Sequence, residues 1–125
     1  MSEIWVIPES FTHNEKGIES SFFVPGDSPW FSGHFPSMPI LPAIGMLGMV
    51  YDTLTAYSAH HGVRLTIQGI KRVRFRQVLK PESHFRVSIA IALQPSDGGL
   101  HASFQCMSDG DKVCDGILVV GRENT

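Results

Sequence analysis

Residues 42–60, with the sequence PAIGMLGMVYDTLTAYSAH, constrain the architecture of this chain more than any other segment. Proline favours the first position of a helix, and Gly62 follows as a stop signal, so we predict one helix from about Pro42 to about His60. The first half of this helix is apolar on every side, which is typical of a helix that is buried all round. The remainder of the chain is therefore expected to cover it.

Strands are predicted on both sides of this helix. Residues 84–94 alternate apolar and polar side chains with a strict period of two, which indicates a half-buried strand. Further strands are predicted at 3–7, 17–25, 64–79, 100–108 and 112–121, with hairpin turns at 96–99 and 109–110. This order of elements predicts one domain over residues 1–125, an α+β fold in which a long antiparallel sheet wraps around one buried helix.

The composition of the chain excludes several classes of protein. Its 125 residues are 42% hydrophobic and 18% charged, which allows a buried core and excludes intrinsic disorder. A formal net charge of −2 gives no bias toward nucleic acid. The longest apolar run, at 40–51, is too short to cross a bilayer, and the amino terminus lacks a signal-peptide pattern. We therefore expect a soluble, cytoplasmic protein without a membrane span, whose two cysteines are free thiols.

Residues 30–42, WFSGHFPSMPILP, form the segment in which we expect the chemistry. Its three prolines forbid a regular helix or a central strand and enforce an extended chain. The segment contains His34, whose imidazole can act as a base or an acid at cellular pH. The helix that follows offers free N–H groups and the positive end of its dipole to an oxyanion. The alternative is that His34 is a hydrogen-bonded core histidine.

A resemblance to a known family rests first on residues 33–42, GHFPSMPILP. These look like the active-site signature of the β-hydroxyacyl-acyl-carrier-protein dehydratases, the FabZ/FabA-like enzymes. Residues 70–82 resemble the central strand and following turn of that family, and residues 104–120 resemble its closing hairpin. The resemblance implies the hotdog fold over residues 20–121 and the dehydration of a 3-hydroxyacyl thioester.

The same resemblance implies a role for each residue of the site. His34 would take the α-proton, and the backbone N–H near Ala43 would polarise the thioester carbonyl. The family's helix carboxylate, which helps the 3-hydroxyl to leave, is missing because Gly48 occupies its position. Asp52, one helical turn later on the same face, is the nearest carboxylate, and a water beside Gly48 would connect it to the substrate. The alternative for Asp52 is a solvated carboxylate where the helix turns polar.

The acyl chain and its carrier are expected to contact a wider set of residues. The expected substrate-binding residues are Phe35, Pro42, Ala43, Gly48 and Phe75. We expect no cofactor and no metal, since the substrate is carried on the phosphopantetheine of an acyl carrier protein or of coenzyme A. The expected docking residues for an acidic carrier protein are Lys71, Arg72, Arg74 and Arg76. A solvated sheet face is the alternative for these four. The family further implies a homodimer or an assembly of dimers.

Three functions remain open from the sequence. The first is a 3-hydroxyacyl-thioester dehydratase, a hydro-lyase of fatty-acid-type metabolism. The second is a hotdog-fold thioesterase, in which Asp52 or His34 activates water on the same thioester. The third is a non-catalytic acyl-binding subunit. The intact His34 argues against the third function, and the missing carboxylate at Gly48 argues against the first.

Overall fold

The structure is a computed structural model that describes residues 5–14, 16–31, 41, 43–96 and 99–123. Its elements are β1 (Ile7–Asn14), β2 (Gly17–Val24), a 3-10 turn (Pro29–Phe31), α1 (Ala43–His61), β3 (Arg64–Phe75), β4 (Ser83–Ser96), β5 (Gly99–Ser108) and β6 (Asp111–Glu123). The strands form one six-stranded sheet in the order β1-β2-β4-β5-β6-β3, and all five pairings are antiparallel. The predicted α+β architecture of one helix against a long antiparallel sheet is confirmed.

The helix α1 begins and ends where the sequence signals predict. Its first residue is Ala43, directly after Pro42. At its end Gly62 has a φ of +64°, in the left-handed region that glycine adopts without steric cost. The N–H of Val63 donates to the carbonyl of Ser58 at 3.2 Å, which is the long hydrogen bond of a Schellman cap.

The prediction that α1 is buried all round is wrong for the single chain. Met46, Met49 and Leu54 lie in the core, each exposed by 3% or less. On the opposite face Ile44 is 68% exposed and Tyr51 is 56% exposed. An all-round apolar pattern indicates that a helix is covered, but it cannot distinguish cover by its own sheet from cover by a second subunit.

The first strand lies later in the chain than the sequence predicts. We predict a strand at 3–7 followed by a polar connection, whereas β1 runs from Ile7 to Asn14 and residues 1–4 lie outside the described residues. β1 pairs with β2 from Ile7 opposite Phe23 to Asn14 opposite Gly17. It is an edge strand, and backbone pairing on one side does not demand an apolar face, so its polar side chains gave no strand signal.

A β-bulge interrupts β3, which ends at Phe75 rather than at the predicted residue 79. The register with β6 shifts between Lys71 and Arg74, so that Arg72 and Val73 together face one residue of β6. Arg72 has a φ of +52°, in the left-handed region that residues other than glycine seldom adopt. A bulge of this kind redirects the side chains that follow it, so the simple alternation predicted for this strand does not hold.

The residue opposite the bulge has to be a glycine. A Cβ added at Gly116 would lie 2.8 Å from the ring of Phe104 and 3.2 Å from the α-carbon of Val73. The first contact is closer than real Cβ atoms tolerate. Gly116 therefore allows β3 to pass close over β6 at the bulge.

The core lies between α1 and the inner face of the sheet. Phe85, Val87 and Ile89 of β4 alternate into it, as the period of two predicts.

Cys106 and Cys114 are direct cross-strand partners, both fully buried and both free thiols, in agreement with the prediction. The hydrogen bond between them, together with burial, raises the pKa of Cys106. Within the described ranges, no helix has the length and apolarity needed to cross a membrane.

Candidate active site

The predicted base lies outside the described residues. His34, Phe35 and Pro42 belong to the segment 32–42, of which the structure describes Leu41 alone. Leu41 is buried, and its N–H donates to the carbonyl of Leu79 at 2.8 Å. That bond attaches the end of the segment to the loop after β3, next to the first turn of α1. The roles of His34, Phe35 and Pro42 stay predictions.

Gly48 lies in open space on the side of α1 that carries the exposed Ile44 and Tyr51. A Cβ added at Gly48 would meet no described heavy atom within 4 Å, outside the helix's own backbone and the neighbouring residues. Packing against the residues that the structure describes therefore does not require glycine at this position. Gly45, three residues earlier, is buried.

Asp52 lines a groove between α1 and the strands β1 and β2. The groove has a volume of about 400 Å³. The other residues that line it are Pro8, Glu9, Ser10, Phe11, Ser20, Ser21, Phe22 and Ala56. The walls combine two phenyl rings with serine hydroxyls, which suits a ligand with an apolar body and a polar head.

The carboxyl of Asp52 has a perturbed acidity. Partial burial raises its pKa above the ordinary value of 3.8, because desolvation disfavours the charged form. A carboxyl with a raised pKa keeps its proton to a higher pH, and this is the property that a general acid requires. Among the site residues predicted from the sequence and described in the structure, Asp52 is the one that lines this groove.

The remaining predicted substrate contacts that the structure describes do not line the Asp52 groove. Ala43 is exposed at the start of α1, and Phe75 is 42% exposed at the end of β3. Neither Ala43, Gly48 nor Phe75 is among the residues that line the Asp52 groove. Their shared role in one site stays a prediction. The walls from β1 were missed by sequence reasoning because β1 itself was misplaced.

A second groove is bordered by basic side chains. It has a volume of about 510 Å³ and is lined by Arg72 and Arg74 of β3, with Lys112 and Asp115 of β6. Nε of Arg76 lies 2.9 Å from Oδ2 of Asp115, and this ion pair neutralises part of the charge. The predicted docking residues are all exposed: Lys71, Arg72, Arg74 and Arg76. Of these four, Arg72 and Arg74 border the groove.

A comparison with known families identifies the chain. The sequence profile of the ApeI-like family, described as ApeI dehydratase, matches residues 10–117. This chain belongs to the ApeI-like dehydratase family. The matched residues include all of α1 and β2 to β5, so the family assignment covers both the helix and the sheet of this ApeI-like protein.

Individual relatives agree with that assignment. The 3-hydroxyacyl-acyl-carrier-protein dehydratase FabZ of Caldicellulosiruptor bescii is 34% identical over 111 residues, which cover 83% of this chain and 74% of the relative. The family is therefore one of hydro-lyases, and the resemblance to FabZ/FabA-like dehydratases is confirmed.

Solved structures show the same fold at lower identity. The dehydratase heterocomplex ApeI:P from Xenorhabdus doucetiae has a TM-score of 0.71 at 19% identity, covering 98% of this chain and 100% of that chain. A hypothetical thioesterase with coenzyme A from Streptococcus pneumoniae also has a TM-score of 0.71, at 6% identity, covering 96% and 90%. At these identities the likeness shows the fold alone, and it confirms the predicted hotdog fold.

Proposed function

We propose that this ApeI-like protein dehydrates 3-hydroxyacyl thioesters carried on the phosphopantetheine of an acyl carrier protein or of coenzyme A. The observation that carries the proposal is the 34% identity to an enzyme named for this reaction over most of both chains. The thioester itself acidifies the α-proton, so the reaction asks for no cofactor and no metal. We expect it to take place in the cytoplasm, as the sequence predicts.

In the proposed reaction a base and an acid act on neighbouring carbons of the substrate. His34 takes the α-proton, and the electron pair of the broken C–H bond forms the new double bond. The C–O bond at the 3-carbon breaks as the protonated Asp52 gives its proton to the leaving hydroxyl, which departs as water. The N–H groups at the start of α1, near Ala43, stabilise the charge on the thioester oxygen. The proton on His34 returns to Asp52 through solvent before the next turnover.

The position of Asp52 calls for a relay in this scheme. One helical turn, about 5.4 Å along the axis, separates it from Gly48, where the family places its acid. The open space at Gly48 leaves room for a water between the carboxyl and the substrate. Desolvation raises the pKa of Asp52 above its ordinary value, which is the direction that favours the role of an acid.

Substituting asparagine at Asp52 tests this role. Asp52→Asn keeps the shape of the side chain and removes the transferable proton, so we expect the rate of enoyl formation to fall at least about tenfold, as a part of the roughly 10²–10⁴ that a positioned acid contributes. Asp111→Asn, the same change at an exposed residue at the start of β6, is the matched control and should retain the full rate. Full activity of Asp52→Asn would remove Asp52 from the mechanism.

Hydrolysis of the thioester is the second candidate function. It is favoured by the replacement of the family carboxylate with Gly48. In that reaction Asp52 or His34 would activate a water that attacks the thioester carbonyl. The products separate the two reactions, since hydrolysis releases a free acid and the carrier thiol, whereas dehydration leaves the thioester intact. A non-catalytic acyl-binding subunit would give neither product.

We also propose that an acidic carrier protein docks beside Arg72 and Arg74. Both side chains border the 510 Å³ groove, and complementary charge steers association.

Reversing the charge at Arg74 tests this docking surface. Arg74→Glu should raise KM for a substrate on acyl carrier protein and leave KM for a neutral N-acetylcysteamine thioester unchanged. Lys80→Glu, the same charge reversal at an exposed loop residue, is the control. An equal effect of Arg74→Glu on both substrates would exclude docking at this surface.

We propose that the active form is a homodimer or an assembly of dimers. Among the described strands β3 pairs on one side only, with β6, and it exposes Ile70 and Val73 near the sheet edge. On α1, Ile44 and Tyr51 are also exposed. Exposed apolar surface and an unpaired strand edge are normally covered.

Light scattering of the purified protein tests the homodimer and should give a mass of at least twice the 13.8 kDa of one chain. A monomer at micromolar concentration would contradict the homodimer and favour a second, different subunit, as in the heterocomplex named above.

A further inference from the structure

Three histidines meet where β1 passes the C-terminal end of α1. Nδ1 of His13 lies 3.1 Å from Nε2 of His61, although the two residues are 48 positions apart in the chain. The ring of His60 packs on His13 with a centroid distance of 4.9 Å. We call these three residues the histidine cluster. The proposed dehydration uses none of them.

We propose that His13 and His61 bind one divalent late transition-metal ion, such as Ni²⁺, Cu²⁺ or Zn²⁺. With metal–nitrogen bonds of about 2.0–2.1 Å, two nitrogens 3.1 Å apart subtend an angle of roughly 95–100° at the ion. That angle lies between the right angle of tetragonal Ni²⁺ or Cu²⁺ sites and the tetrahedral angle of Zn²⁺ sites.

The orientation of the rings agrees with this geometry. The centroids of His13 and His61 are 5.0 Å apart, and the rings are nearly perpendicular, at 82°. Two imidazoles that bind one ion at the angle given above have centroids about 5 Å apart. In the absence of an ion the same two nitrogens share a hydrogen bond, in which one ring donates its N–H to the lone pair of the other.

Aromatic neighbours hold both rings before any ion binds. His61 stacks on the buried Tyr57, with centroids 4.0 Å apart and an interplanar angle of 22°. His13 stacks on Phe11 at 5.9 Å and 23°. The Schellman cap fixes the backbone at His61, and the negative end of the helix dipole favours a cation there. These contacts restrict both rings, so a part of their side-chain freedom is already lost before binding.

The site is a pair of imidazoles completed by water. Among the residues that the structure describes, no group of three or more His, Cys, Asp or Glu side chains is arranged to hold a metal ion. Imidazole nitrogens select late transition metals over Mg²⁺ and Ca²⁺, which prefer oxygen ligands. An ion bound to His13 and His61 would join the edge strand β1 to α1, so its binding should stabilise the folded chain.

Titration calorimetry with Ni²⁺ and Zn²⁺, and with Mg²⁺ as the negative control, tests the site. His13→Gln and His61→Gln should each weaken the binding of Ni²⁺ more than about tenfold, which is the loss typical of removing even an outer partner of a ligand. His101→Gln, on β5, is the matched control and should bind like the unaltered protein.

Thermal unfolding gives a second, independent measurement. Ni²⁺ should raise the Tm of the unaltered chain and of His101→Gln, but not that of His13→Gln or His61→Gln, because an ion that binds the folded state alone stabilises it. Circular dichroism of the metal-free variants establishes that they fold. No saturable binding to the unaltered protein, or equal affinity in all variants, would overturn the proposal.

Discussion

Replacing Gly48 by glutamate is expected to raise both the stability and the dehydration rate of this protein. Glycine inside a helix costs up to about 1 kcal/mol relative to alanine, and glutamate recovers about half of that. A Cβ at Gly48 meets no described heavy atom within 4 Å beyond the adjacent helix backbone, so no clash with the described part of the chain offsets the gain. A gain of about 0.5 kcal/mol corresponds to a rise in Tm of about 2 °C for a domain of this size.

The gain in rate has a separate cause. Gly48→Glu places a carboxyl at the position where the family has its acid, one helical turn before Asp52, so the water relay from Asp52 is no longer needed. A positioned acid contributes about 10²–10⁴ in rate, of which the relay already supplies a part, so we expect an increase of up to about 10². Gly48→Gln is the control, because it has nearly the same shape and no transferable proton.

The assay is the initial rate of enoyl formation from one 3-hydroxyacyl thioester, measured beside thermal unfolding curves for the three proteins. Both variants should gain stability, and the glutamate variant alone should gain rate. Equal rates for the two variants would refute the reasoning that a missing carboxyl at position 48 limits the reaction. A fall in Tm for both variants would show that position 48 is covered, either by this chain or by a second subunit.

Three further predictions concern packing, the base and the acid. Gly116→Ala should destabilise the chain by about 1–3 kcal/mol in urea unfolding, since its Cβ would overlap the ring of Phe104; unchanged stability would contradict the close packing at the bulge. His34→Ala should lower turnover by at least about 10² with the circular dichroism spectrum unchanged, and an undiminished rate would return His34 to the role of a core histidine. Because the pKa of Asp52 is raised on folding, the stability from its protonation is complete below the ordinary value of 3.8 and is lost as pH rises through the raised pKa. Asp52→Asn should therefore be at least as stable as the unaltered chain at pH 7 and lose this advantage in acid, and the opposite trend in urea unfolding would contradict the raised pKa.

Local signals predicted most of the secondary structure. Proline before residue 43 and glycine at 62 marked the ends of α1 to within one residue, because helix ends depend on the conformations these residues allow. The alternation in residues 84–94 predicted β4, because burial of one sheet face imposes a period of two. The turn at 109–110 was also found from its own residues.

Features that depend on distant parts of the chain were not predicted. The polar strand β1 exists because β2 offers it a backbone partner, and its own side chains carry no such signal. The bulge at Arg72 depends on the glycine opposite it in β6. The sequence pattern of α1 did not show that one face stays exposed in the single chain, since the pattern records burial without saying what covers the helix.

The candidate site was also predictable only in part from the sequence. The motif around His34 and the position of Asp52 on the helix could be read from spacing and resemblance. The groove beside Asp52 could not, because its walls come from β1 and β2, far from α1 in sequence. Likewise, the contact between His13 and His61 forms only when β1 passes the end of α1.

Mass spectrometry of the purified protein incubated with a 3-hydroxyacyl thioester tests the central claim most directly. The account predicts loss of one water, with the acyl group still attached to its carrier, and the reverse hydration when the enoyl thioester is supplied. Release of free acid and carrier thiol without loss of water, or recovery of the substrate unchanged, would contradict the assignment of this chain as a dehydratase.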